Sequence, residues 1–290
     1  MISEVAPQYN AKRWLAMFSG QFPFIDGHTR LGKTAHFGPL RVQRPFYPEG
    51  PECLHLYLLH PPGGLVGGDK LSINFDVHPG AHLLMTTPSA GKMYRNISGL
   101  PQSQQVNITV GKDAVMEYLP QENIVFNGAY AELSTQVEVA EGGLFIGWEI
   151  NCLGLYENDE PFLDGQLKQQ LMIKQSGKPL FYDRLKIIAP SVVQTSVAGL
   201  QNKSVNGTFV INTDVVNDLT LAELLSWQND VNANKNYDCV AAITQKPGIF
   251  IARILSDKAE VVRKYFEQLW VLLRPSVINR DACAPRIWLT

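Results

Sequence analysis

The chain lacks most of the features that announce a chemistry. Its four cysteines, Cys53, Cys152, Cys239 and Cys283, are scattered and form no CxxC pair. That excludes a zinc knuckle or dithiol motif and leaves them reading as small, buried apolar residues in a reducing compartment. No lysine or arginine run occurs and the formal net charge is −2, so the footprint of a nucleic-acid binder is missing. No apolar stretch approaches the ~20 residues of a membrane span. Residues 1–14 hold no unbroken apolar segment of the secretory kind, so the expected location is cytoplasmic with no membrane contact. The six histidines all lie between His28 and His82 without HxH or HExxH spacing, so no preformed metal cage is legible. Charged residues make up only 18% of the chain, below the usual ~25%, which points to much surface being covered by folding or by partners.

What the chain does have is an unusual backbone. His60-Pro61-Pro62-Gly63-Gly64-Leu65-Val66-Gly67-Gly68-Asp69-Lys70 packs prolines and glycines between two apolar, alternating flanks. Glycine supplies φ > 0 or close approach, and proline fixes φ and removes a donor. A loop so constrained between strands is a place for an interaction or a site. It is not a phosphate loop: Asp69 separates Gly68 from Lys70, and a strand follows where a helix is required. The second constrained run, Thr86-Thr87-Pro88-Ser89-Ala90-Gly91-Lys92-Met93-Tyr94-Arg95, is not a nucleophile elbow, because no glycines flank Ser89 as that turn requires.

Period-two alternation dominates from about residue 30 to 215. Residues 71–77 turn at Pro79-Gly80 into 82–86, 105–110 turn at Gly111–Asp113 into 114–119, and 133–139 turn at Gly142-Gly143 into 144–150. The turns at Gly80, Asp113 and Gly142 are 33 and 29 residues apart. That near-constant spacing predicts a mainly β, elongated, solenoid-like stack of β layers. Asn206-Gly207 reads as a hairpin turn. A small two-helix element follows at about 217–275: Asp218 caps one helix, and Ser256 caps a second that buries Val262, Phe266, Leu269 and Leu273 and stops at Arg274-Pro275. Two strands lie between them around Lys246-Pro247-Gly248, and with no linker the expectation is one domain over 1–290.

Three acids stand in apolar or glycine-rich surroundings: Asp69, Glu149 after Trp148, and Asp183 before Arg184. Carboxylates there are costly unless paired or solvated. Either they form salt bridges or they line an internal polar passage suited to a divalent cation.

These segments carry a family likeness. The Pro61 to Asp69 run, Thr86-Thr87-Pro88 through Lys92-Met93-Tyr94-Arg95, Tyr118-Leu119-Pro120-Gln121-Glu122, Trp148-Glu149 with Cys152-Leu153-Gly154, and the ending Leu273-Arg274-Pro275 with Pro285-Arg286-Ile287-Trp288 together resemble the urease accessory protein family UreD, also called UreH. The likeness runs in order from about residue 25 to the C-terminus. It implies a non-enzymatic maturation factor, a chaperone of nickel insertion. Such a factor binds UreF, through it the GTPase UreG, and docks on apo-urease. It implies no permanently bound cofactor, only transient nickel passing through an internal tunnel whose polar lining includes Asp69, Glu149 and Asp183. Two departures stand out. Gly91 precedes Lys92 where relatives often have serine, and relatives interchange Asp and Glu at 149 and 183. For the UreF-binding surface the candidates are the C-terminal helix and tail, with Arg274, Arg286 and Trp288 as anchors; the alternative is that the tail packs back and its arginines pair with local acids. The rival reading from another class is a β-solenoid polysaccharide hydrolase or lyase using Asp69 with Lys92 or Arg95 as acid and base.

Overall fold

Strands that alternate apolar and polar residues have one face to bury, and here they bury it by coiling. The structure, a computed structural model, describes residues 14–155, 158–213 and 218–289; apart from Trp14, the N-terminal segment read above for a signal lies outside them. Successive coils add one strand to each of two facing sheets. In the first, Leu15–Phe22, Lys70–Val77, Gln102–Val110, Tyr130–Val139 and Gly165–Gln175 are parallel neighbours. In the second, Cys53–Leu59, His82–Thr86, Val115–Tyr118 and Leu144–Leu155 are parallel neighbours. Phe75, Ile108, Val137 and Ile173 from the first sheet meet Leu56, Met85, Met116 and Phe145 from the second in one apolar core.

The turn spacing read from sequence is the coil period. Gly80, Asp113 and Gly142 all have left-handed φ, at 74°, 54° and 72°, and consecutive turns bond to each other, Gly80 N–H to Lys112 O at 3.0 Å and Ala140 N–H to Val110 O at 2.9 Å. Only glycine, or a short polar residue such as Asp, adopts that conformation readily.

Lys178–Ala189 closes one edge of the first sheet by antiparallel pairing. Val205–Ile211, Ile249–Ser256 and Cys239–Lys246 extend the second sheet the same way. Leu144–Leu155 is therefore buried on both faces, with ten consecutive buried residues, Phe145 to Gly154. Its outer face carries Ile146, Trp148 and Ile150, which pack with Phe209 under the helix Ala259–Ile278 through Val262, Phe266, Leu269 and Leu273.

Three local expectations are corrected. Asn206-Gly207 is not a turn: both residues lie within Val205–Ile211, and Gly207 is there because a Cβ would come within 2.6 Å of Phe266 and Val262. The helix starts after Lys258, with Ser256 closing the preceding strand and accepting the Lys258 amide at 3.2 Å. It also runs through Pro275 to Ile278, ending at left-handed Asn279. Proline forfeits the bond to the carbonyl four residues back, and Val271, which owns that carbonyl, lies on the exposed side of the helix.

Candidate functional site

The constrained motifs are equivalent corners of successive coils. Leu65 N–H donates to Lys92 O at 2.7 Å and Tyr94 N–H to Leu65 O at 2.9 Å, joining the Pro-Gly loop to the Thr-Thr-Pro loop. Gly91–Met93 pairs in parallel with Asn123–Val125, which pairs in turn with Asn151–Leu153. Gly64 and Gly67 leave no room for a Cβ against Tyr94 and Ser98, and Gly63 and Gly68 have φ of 78° and 94°. Asp69 shapes this corner. It is 9% exposed, and its two carboxylate oxygens accept the amides of Trp14 at 3.1 Å and Val66 at 2.9 Å. Thr87 Oγ1 accepts the Gln121 amide, tying the next two corners, and Tyr94 stacks on Phe126. The Arg95 side chain covers Gly128.

Beneath the corners lies a cavity of about 80 Å³ whose walls include His60, Gly63, Thr87, Gln121, Thr135 and Glu149. Glu149 stands at the edge of a polar interior between the sheets. Its carboxylate is hydrogen-bonded by Thr135 and by the Gln169 amide, which also accepts from Asn151 Nδ2 at 2.9 Å. Burial, with the nearby Asp183 charge, outweighs these bonds and raises the Glu149 pKa. Asp183 accepts from Thr208 Oγ1 at 3.2 Å and pairs with Arg253 at 3.0 Å. Asn151 Oδ1 and Asn206 Oδ1 are buried without a hydrogen-bond partner. The structure thus brings Glu149 and Asp183 together; Asp69 is at the corner and is not part of the cavity wall. Thr135, Asn151, Gln169 and Thr208 were not legible in sequence, because an uncharged polar residue in a strand gives no sign of which face it occupies.

The family model described as UreD urease accessory protein matches residues 17–289, every corner and the whole polar interior included. The chain belongs to the UreD family. Among relatives named urease accessory protein UreD, that of Saccharophagus degradans is 40% identical over 280 residues, 96% of this chain and 94% of its own. That of Azoarcus sp. is 39% identical over 277 residues, again 96% and 94%. That of Methylobacillus flagellatus is 37% identical over 279 residues, 96% and 95%.

The C-terminal residues singled out from the UreD likeness turn inward. Arg274 has no exposed surface. It donates to Glu117 at 3.0 Å and to Glu49 at 2.7 and 2.9 Å, and it also reaches Asp281 O. His82 meets Glu117 and His55 meets Glu49, each at 2.6 Å, and Trp270 Nε1 donates to Glu117 at 2.5 Å. Burial alone would raise the Glu117 carboxyl; His82 and Arg274 bring it down to about 2. Glu49 is lowered against burial by His55 and Arg274 in the same way. Trp288 packs on Trp148 and Trp270 at 5.7 Å each and donates to Thr86 Oγ1. For Arg274 and Trp288 the geometry is that of the intramolecular alternative, whereas Arg286 is exposed at the start of a 3₁₀ turn.

Proposed function

We propose that this chain is a cytoplasmic scaffold of urease maturation that binds UreF, through it UreG, and apo-urease, and passes nickel through its interior to the urease centre. The observation that carries this reading is Glu149: a carboxylate between two apolar sheets, under-compensated, beside a second acid and two unpartnered amide oxygens. An acid left short of partners can take an ion without displacing one, and a rigid cage would not release it; successive weak oxygen ligands allow both uptake and release. Asp183 is the next ligand on the route, and Asp69 contributes by holding the corner in shape. Nickel is cargo here, not a resident cofactor, and the chain itself carries out no catalysis. No helix among the described residues is long and apolar enough to cross a membrane. Nothing favours the glycan-cleaving alternative: the Asp69 carboxylate it would use as acid or base is engaged by two backbone amides.

The test is nickel content of urease assembled with wild-type chain, Glu149→Gln, Asp183→Asn or Asp69→Ala, with capture of UreF measured alongside. The expected outcome is several-fold lower nickel in urease with UreF capture unchanged. Normal nickel loading with Glu149→Gln would overturn the route.

A further inference from the structure

The face of the second sheet that lies under the C-terminal helix carries an unusual set of donors. Cys53 and His82 are register partners on adjacent strands, and His55 and Glu117 lie one step further along the same face. Two triads of ligand atoms, Glu49–Cys53–His55 and Cys53–His82–Glu117, share the Cys53 thiol, and within each triad all atoms lie within 4.8 Å of one another. Cys53 and Glu117 have no exposed surface, and His55 and His82 are 1% and 6% exposed. Cys283, in the irregular segment beyond the helix, feels the charges of Glu49 and Arg274, so a second thiol stands close by. Thiol, imidazole and carboxylate together suit a borderline ion of the nickel or zinc kind and not magnesium or calcium.

A cation already occupies this place. The Arg274 guanidinium bonds both carboxylates and approaches Cys53 Sγ at 4.0 Å. Charge permits another occupant: within either triad a dication would be balanced by one carboxylate and the Cys53 thiolate formed on binding. We propose that these two triads, Glu49–Cys53–His55 and Cys53–His82–Glu117, form a second, cryptic site for a borderline divalent cation, held by one triad at a time, in which Arg274 stands in for the ion. Filling it requires the end of the helix to withdraw, taking with it Arg274, which lies in the last turns before the left-handed Asn279, and the Trp270 indole that also donates to Glu117. On binding, Cys53 loses its thiol proton and each ligating imidazole presents its Nε2 lone pair, with the ring proton on Nδ1, so ion uptake releases protons. This site lies on the opposite face of the sheet from Glu149 and does not depend on the nickel route proposed above.

The test uses the full-length chain without urease. Wild-type protein and Arg274→Met are equilibrated with Zn²⁺, Ni²⁺ or Mg²⁺, desalted and assayed for retained metal, with near-ultraviolet absorption recorded for a thiolate–nickel band. Arg274→Met is expected to retain about one more equivalent of zinc or nickel than wild type, with the thiolate band and no added magnesium. Adding Cys53→Ser is expected to abolish both. Because Arg274→Met removes the guanidinium shared by two buried carboxylates, Glu49→Gln/Arg274→Met is prepared in parallel; it keeps the Cys53–His82–Glu117 triad and one charge fewer. Absence of extra metal in the folded double variant, or extra metal that survives Cys53→Ser, overturns the proposal.

Discussion

Glu117→Gln isolates the value of the buried charge cluster. The substitution keeps the side-chain shape and removes one negative charge from a group with no exposed surface. Arg274 retains Glu49, so the loss falls at the low end of the 3–5 kcal/mol seen when one partner of a buried pair is removed. The ionisation equilibrium gives an independent figure. Against burial, His82 and Arg274 lower the Glu117 pKa from 4.5 to about 2, and each pKa unit is worth about 1.4 kcal/mol, giving about 3 kcal/mol. Because the folded value lies below the unfolded one, this stability is complete above about pH 4.5 and is lost as pH falls toward 2. Urea denaturation followed by tryptophan fluorescence reads both quantities. The gap between wild type and Glu117→Gln should be about 3 kcal/mol at pH 7, hold to about pH 5 and narrow below it. A gap under about 1 kcal/mol, or one that stays constant from pH 7 to pH 3, refutes the reasoning.

Glu149→Gln should behave in the opposite sense. Its folded pKa is raised, so ionised Glu149 destabilises the fold at neutral pH. The amide variant should therefore be more stable than wild type at pH 7 in the same denaturation assay, with the advantage vanishing as pH falls below the ordinary carboxylate range. Gly207→Ala places a methyl within 2.6 Å of Phe266 and Val262 and should destabilise by about 1–3 kcal/mol through overpacking; a melting curve unchanged from wild type would show that the helix sits elsewhere.

The coil period was legible because it is local: a left-handed turn admits few residue types, so Gly80, Asp113 and Gly142 mark it directly. The motif loops were legible as rigid corners for the same reason. That they stack on one another was not, since Leu65 meets Lys92 and Tyr94 only through the register of the coils. The Asn206-Gly207 signal failed because the glycine was chosen for a neighbour 59 residues further on, Phe266, and not for its own turn. The charge cluster joins Glu49 to Arg274 across 225 positions, beyond any spacing rule. Yet one signal was available. Glu117 sits between Met116 and Tyr118 just as Glu149 sits between Trp148 and Ile150, and Arg274 falls four residues after Trp270 on the apolar helix face.

Those two glutamates show how one sheet runs two kinds of electrostatics. Leu144–Leu155 and its neighbour Val115–Tyr118 are buried on both sides, so a carboxylate on either face loses its water. On the outer face Glu117 recovers the loss through a guanidinium, an imidazole and an indole, and its proton is driven off. On the inner face Glu149 is given only Thr135 and Gln169, with Asp183 opposing it, and its proton is held more tightly. A scaffold built for stability alone would pair or replace the second acid, because an apolar residue of the same volume avoids the desolvation altogether. Keeping Glu149 poorly compensated makes sense if an ion supplies the missing positive charge as it passes. On that logic, nickel itself should raise the stability of wild type more than that of Glu149→Gln, a difference readable by thermal melting with and without the ion. Equal stabilisation of the two would remove Glu149 from the route.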